Sequence, residues 1–215
     1  MAAVIVEVRA VPPFGKNGFV VGSETTHEAV IIDPGDEVDQ LLEIVQRQKL
    51  SVSGILLTHA HVDHVTGVSR VKRALGVPIW LHKDDNFLYE IAPEQAAFFG
   101  FHAEKPPPVD RFYDRDQTFP LGEYEISVHH TPGHCPGGVC LAVGAPGQPK
   151  RDLFVGDTLF AGAIGRTDLP GADHATLMRS ITEVLLGFPD DARVYPGHGP
   201  ATTIGQERRS NPFLT

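Results

Sequence analysis

The sequence predicts an α/β protein of two sheets packed face to face with helices outside, and three observations carry that prediction. βαβ-like units and antiparallel strand runs occur in both halves of the chain. Short apolar runs of strand length are punctuated by glycine and proline. A polar loop recurs where several of those strands end.

The elements follow in order. Val4–Val8 and Phe19–Gly22 read as strands joined by the turn signal Pro12-Pro13-Phe14-Gly15. Ala29-Val30-Ile31-Ile32 is a buried-strand run that stops at Asp33-Pro34-Gly35. A helix is expected from Glu37 to Gln48, because Val38, Leu41, Leu42 and Val45 repeat at helical spacing. Gly54 to Thr58 is the next buried strand, His64 to Leu75 a helix ended by Gly76, and Val77 to Leu81 a strand. Lys83 to Phe101 reads as helix with an interruption at Pro93, and Phe98, Phe99 and Phe101 are expected to fill core, with the lining of a substrate mouth as the other reading. Strands are then expected at Gln117–Phe119, Tyr124–His129, Val139–Val143 and Leu153–Val155, followed by a glycine-rich loop through Gly171. A helix from His174 to Leu186, a strand at Arg193-Val194-Tyr195 and a tail helix near Gln206 complete the chain.

The net charge of −9 argues against a nucleic-acid partner, which needs a basic footprint. No window approaches the roughly 20 apolar residues of a membrane span. The N-terminus reads as a first strand instead of a signal peptide. Only Cys135 and Cys140 occur, so no disulfide framework is expected, and the cytoplasm is the expected compartment. Histidine is the unusual component, with 11 copies against one tryptophan and four tyrosines.

Where those histidines sit decides the reading. Thr58-His59-Ala60-His61-Val62-Asp63-His64 directly follows a buried strand and precedes a helix. His59 and His61 are two apart, so an extended segment projects both to one face. Asp63 and His64 lie at the turn into the helix, which can aim them at a neighbouring point. One short loop can therefore serve two metal ions, and imidazole with carboxylate suits zinc, iron or manganese. Further candidates also follow apolar strands and are flanked by glycine: His134 in Thr131-Pro132-Gly133-His134, Asp157 in Gly156-Asp157-Thr158, and His198 in Pro196-Gly197-His198-Gly199.

This pattern resembles the metallo-β-lactamase superfamily. Gly156-Asp157-Thr158-Leu159-Phe160 through Arg166-Thr167-Asp168 is similar to the loop of its glyoxalase II (hydroxyacylglutathione hydrolase) branch. The ending, Pro196-Gly197-His198-Gly199-Pro200 through Asn211-Pro212-Phe213, resembles the short bacterial type without the C-terminal helical domain. The resemblance implies a four-layer αββα sandwich of two mixed sheets in a single domain, residues 1–215. It also implies that His59, His61 and His134 hold one metal, that Asp63, His64 and His198 hold a second, and that Asp157 bridges them. The cofactors implied are two divalent ions, zinc first, with iron or manganese as alternatives.

The implied activity is hydrolysis of a hydroxyacylglutathione thioester such as lactoylglutathione by a metal-bridging hydroxide, which Asp63 would orient. Two such ions, less two aspartates and one hydroxide, leave a local charge of about +1, which favours a small anionic substrate despite the acidic exterior. Arg166 is the candidate for a substrate carboxylate, with a loop-clamping role as the other reading. A mononuclear iron persulfide dioxygenase and a lactonase or esterase of the same fold are the enzymatic alternatives. A non-catalytic metal-binding module is disfavoured by the complete ligand set. His27, His82, His102, His129, His130 and His174 belong to no ligand pattern and are expected to be structural, as is Cys135.

Overall fold

The computed structural model describes residues 4–114 and 117–214. They form two compact units, the first running up to Tyr113 with Leu121–Glu123, the second comprising Asp114–Pro120 and Tyr124 onward.

In the first unit β1 (Val4–Val11), β2 (Lys16–Ser23) and β3 (Glu28–Ile32) pair antiparallel, and β3, β4 (Ser51–Leu56), β5 (Ile79–Leu81) and β6 (Arg111–Phe112) pair parallel. The resulting mixed sheet has the order β1-β2-β3-β4-β5-β6. The expected first helix is α1 (Val38–Arg47), which buries Val38, Leu41, Ile44 and Val45. Ile44 replaces the expected Leu42 in the apolar stripe.

The helix expected from His64 to Leu75 is broken into α2 (Val62–Val65) and α3 (Val68–Leu75). The break at Gly67 has a packing cause. The Gly67 amide donates to Pro34 O at 2.9 Å, and a Cβ there would lie 2.4 Å from Gly35 O. Gly35 in turn would carry a Cβ only 2.3 Å from Asp63 O. Two backbones thus meet where side chains cannot fit, and the helix yields. Gly76, with φ 68°, closes α3 as expected. Farther on, the interruption falls at Ile91, between α4 (Asn86–Glu90) and α5 (Ala92–Phe98), with Pro93 in the first turn of α5, where its missing N–H costs nothing. Phe98, Phe99 and Phe101 do not fill core, being 83%, 47% and 44% exposed. Ala92 and Ala96 take the buried face of α5, which turns Phe98 outward, while Phe99 and Phe101 lie beyond the helix end, Phe101 with its ring 5.0 Å from that of Phe14.

Within the same unit, β2 is buried along its whole length, including Lys16. Its ammonium lies 2.6 Å from Glu37 Oε1, with both side chains 1% exposed, and also donates to Asp33 O. The same Glu37 oxygen accepts from Gly35 N at 2.8 Å. A buried ion pair therefore closes the Asp33-Pro34-Gly35 turn from inside.

The second unit comprises β7 (Thr118–Leu121), β8 (Tyr124–His130), β9 (Val139–Gly144), β10 (Asp152–Gly156), β11 (Leu159–Phe160), β12 (Ala163–Ile164), α6 (His174–Arg179), β13 (Arg193–Pro196), β14 (Thr202–Thr203) and α7 (Ile204–Ser210). Its sheet has the order β14-β13-β10-β9-β8-β7, with β10 and β13 parallel, while β11 and β12 form a small hairpin inside the glycine-rich loop. The helix expected to Leu186 is regular only to Arg179, then passes through a π turn and a 3-10 turn. Leu177, Ile181 and Leu185, four apart, are all fully buried against Leu153, Val155 and Val194. Each such side chain contributes about 1.5–3 kcal/mol. Gly133, at φ 131°, lets the His134 loop approach this helix, since a Cβ there would lie 2.2 Å from Leu177 N. Among the described residues no helix is long and apolar enough to cross a membrane.

The Lys16–Glu37 pair generates a stability prediction. Lys16→Met leaves a buried carboxylate without its cation and is expected to cost about 3–5 kcal/mol in urea unfolding. The double variant Lys16→Met/Glu37→Leu should recover a substantial part of that loss, because no unpaired charge remains.

Candidate metal centre

Within the first unit, β4 delivers the chain into the segment that carries His59, His61, Asp63 and His64. The structure brings these four together. The His59 and His61 rings lie 4.9 Å apart edge to face, and those of His59 and His64 lie 4.0 Å apart. His64 Nε2 stands 3.7 Å from Asp63 Oδ2. His61 occupies the N-cap of α2 in an extended conformation, so the chain turns helical immediately after it and swings Asp63 and His64 to the same place.

What orients these rings is a residue that the sequence reading passed over as the end of a strand. Asp33 is fully buried and takes the left-handed conformation, with φ 48°. Its Oδ1 accepts from Thr58 N at 2.7 Å, and its Oδ2 accepts from the Thr58 hydroxyl and lies 3.0 Å from His64 Nδ1. Thr58 Oγ1 in turn lies 3.2 Å from His59 Nδ1. With its proton given to Asp33, that hydroxyl accepts from His59 Nδ1–H, so one carboxylate fixes two tautomers. Both rings then present Nε2 as the lone-pair donor. Asp33, His59 and His64 form a compact group, with one donor atom each within 4.8 Å of the others. The Asp33 oxygens are committed to hydrogen bonds, so Asp33 orients ligands instead of serving as one. The available signal was its place after a buried strand, the same context that singled out Asp157.

Within the second unit, β8, β10 and β13 deliver His134, Asp157 and His198, and the structure brings these three together as well. His134 Nε2 and His198 Nε2 lie 3.7 and 3.6 Å from the same oxygen, Asp157 Oδ2. Both separations exceed hydrogen-bond range. They suit ligands sharing a cation, since two donors about 2.0–2.1 Å from a tetrahedral ion stand roughly 3.3–3.5 Å apart. His134 Nδ1 donates to Arg166 O at 2.9 Å, again leaving Nε2 for a metal. The donor set, neutral imidazoles and carboxylates with no thiolate, fits divalent zinc, iron or manganese.

Arg166 splits its functions. Its carbonyl anchors His134, while its half-exposed guanidinium meets Asp168 through two parallel bonds of 2.7 Å. The Arg166 guanidinium beside it holds the Asp168 carboxyl at about 2, so the pair is ionised at neutral pH. Cys135 is buried, as expected of a small packed side chain. His129 packs edge-on against Phe188, His130 donates to Pro136 O at 2.8 Å, and His82 caps the turn before α4 by accepting from Asp84 N.

Comparison with known proteins supplies the family. The model of the family described as Metallo-beta-lactamase superfamily matches residues 11–198. The chain is 39% identical to a protein named hydroxyacylglutathione hydrolase GloC from Haemophilus influenzae, over 97% of each chain. It is similar to the crystal structure of TTHA1623 in a di-iron-bound form, with 43% identity, a TM-score of 0.84 and coverage of 97% of this chain and 100% of that one. It is also similar to the BLEG-1 B3 metallo-beta-lactamase, with 36% identity, a TM-score of 0.87 and coverage of 98% and 100%. The two mixed sheets, their flanking helices and the histidine-bearing strand ends belong to that fold, and this chain is a metallo-hydrolase of the metallo-β-lactamase superfamily.

Proposed function

We propose that the chain is a hydroxyacylglutathione thioesterase that works as one domain, residues 1–215, with two divalent ions. In this reading His59, His61 and His134 hold one ion, Asp63, His64 and His198 hold the other, and Asp157 bridges them. The observation that carries the ligand set is the shared Asp157 Oδ2, approached by two Nε2 atoms at 3.6 and 3.7 Å. The substrate class is supported by the similarity to GloC over nearly the whole chain. Zinc is the first candidate ion. The di-iron form of a 43% identical protein supports iron as the second.

When bound, two such ions would lower the pKa of a water to near neutral and polarise the thioester carbonyl. The chain's own residues do the rest. Asp63 accepts a hydrogen bond from the attacking water and fixes its direction. Asp33 and Thr58 keep the His59 and His64 tautomers constant through the cycle, so no ring must reorganise as charge develops. The departing thiol needs little protonation, which suits a site with no general acid among its proposed ligands. Arg166, anchored by Asp168 and half exposed, offers a fixed positive charge to a substrate carboxylate.

Metal analysis coupled to a thioester assay tests the reading. Two equivalents per chain and cleavage of lactoylglutathione are expected, with His61→Ala and Asp157→Ala each losing activity. One equivalent of iron, with oxygen consumed in the presence of glutathione persulfide, would overturn it in favour of the dioxygenase. Asp33→Asn places an N–H where two donors already point, so metal affinity should fall about 10–100-fold in a chelator competition. Arg166→Met should raise KM for an anionic thioester by roughly tenfold or more, the size of one charged hydrogen bond, with kcat little changed. A neutral thioester should show no such rise.

A further inference from the structure

His61 stands at the N-cap of α2, a position whose side chain ordinarily accepts a hydrogen bond from the first turn of the helix. The His61 side chain makes no capping bond. The acceptor comes from another helix. Gln95, on α5, accepts from Val62 N through Oε1 at 3.2 Å and donates through Nε2 to Ala60 O at 3.3 Å. Those are the two peptide groups on either side of His61, so one side-chain amide pairs with both. Its second Nε2 proton goes to Leu88 O at 2.7 Å, tying the same amide to α4. On the other side of the loop, Asp85 Oδ2 accepts from Ala60 N at 3.1 Å, and Asp85 is fully buried.

We propose that Gln95, assisted by Asp85, is a positioning residue for His61: it holds the two peptide groups that flank His61 and so fixes the backbone from which that imidazole reaches a metal. The metal end of this inference rests on the proposed function. The physical need is specific. Val62 N is the first amide of α2, which an N-cap side chain does not serve, so without Gln95 it would be a buried donor left without that acceptor, at the residue next to His61. A primary amide answers both peptide groups because it carries a donor and an acceptor side by side. A carboxylate at this place could answer only one.

The experiment compares the parent with Gln95→Met, which keeps length and helix propensity but loses both bonds, and with Gln95→Glu, which keeps only the acceptor. Phe98→Ala, on the same helix but 83% exposed, serves as the control. Far-UV circular dichroism and thermal unfolding of the metal-free proteins establish that each is folded. Amide exchange in the metal-free state is expected to quicken at Val62 in Gln95→Met, which loses the acceptor of that amide, and to stay parental there in Gln95→Glu, which keeps it, with β4 unchanged. Titration with Co²⁺ should show one of the two equivalents weakened about 10–100-fold in both variants, with altered ligand-field bands, and neither change in Phe98→Ala. Two parental equivalents with parental spectra in folded Gln95→Met and Gln95→Glu would overturn the role while leaving the proposed function standing. A parent chain that takes up no Co²⁺ would overturn the proposed function and this role together.

Discussion

Three of the candidate ligands, His59, His64 and His134, are held by Nδ1, and the candidate centre depends on that constraint. An imidazole free to rotate or to exchange tautomers presents a lone pair only part of the time, whereas one whose Nδ1–H is committed always presents Nε2. The chain commits those protons to three different acceptors: the Asp33 carboxylate for His64, the Thr58 hydroxyl for His59 and the Arg166 carbonyl for His134. The first two converge on one buried aspartate, so the orientation of two candidate ligands rises or falls together.

That aspartate needs support of its own. It sits in a left-handed turn, which costs free energy for any residue but glycine and is eased for asparagine and aspartate. The turn is held by the buried Lys16–Glu37 pair, whose ammonium reaches Asp33 O and whose carboxylate reaches Gly35 N. A buried pair of this kind adds little net stability, because desolvation offsets most of the attraction. Its contribution is geometric: it fixes the loop against which α2 and α3 meet at Gly67. The same division appears in the second unit, where the burial of Leu177, Ile181 and Leu185 supplies stability and Gly133 supplies the close approach that sets the His134 loop.

An acidic composition is compatible with an anionic substrate at the proposed centre, because the two sets of charge act over different ranges. Exposed charges more than about 10 Å away are largely screened at ordinary ionic strength. Two divalent ions held by only two carboxylates would dominate the field at short distance. Arg166 has its guanidinium fixed by Asp168 and its backbone tied to the candidate centre through His134. In the proposed function a single residue would thereby link ligand orientation to substrate capture.

The sequence alone determined the alternation of strands and helices and the seven candidate ligands. Both are local: periodicity is written in neighbouring residues, and each candidate ligand follows its own apolar strand with a glycine beside it. Tertiary structure decided what depends on distant backbones meeting. The break between α2 and α3 comes from a turn some thirty positions away, and the outward facing of Phe98 comes from which side of α5 found a surface to bury. Lys16 and Gln95 carried no signal of their role, and Asp33 only its place after a buried strand, because a side chain that supports a ligand is recognised by what it touches, and contacts across the fold leave no spacing in the chain. The sequence named the atoms able to hold a metal, and the fold chose the ones that hold those atoms still.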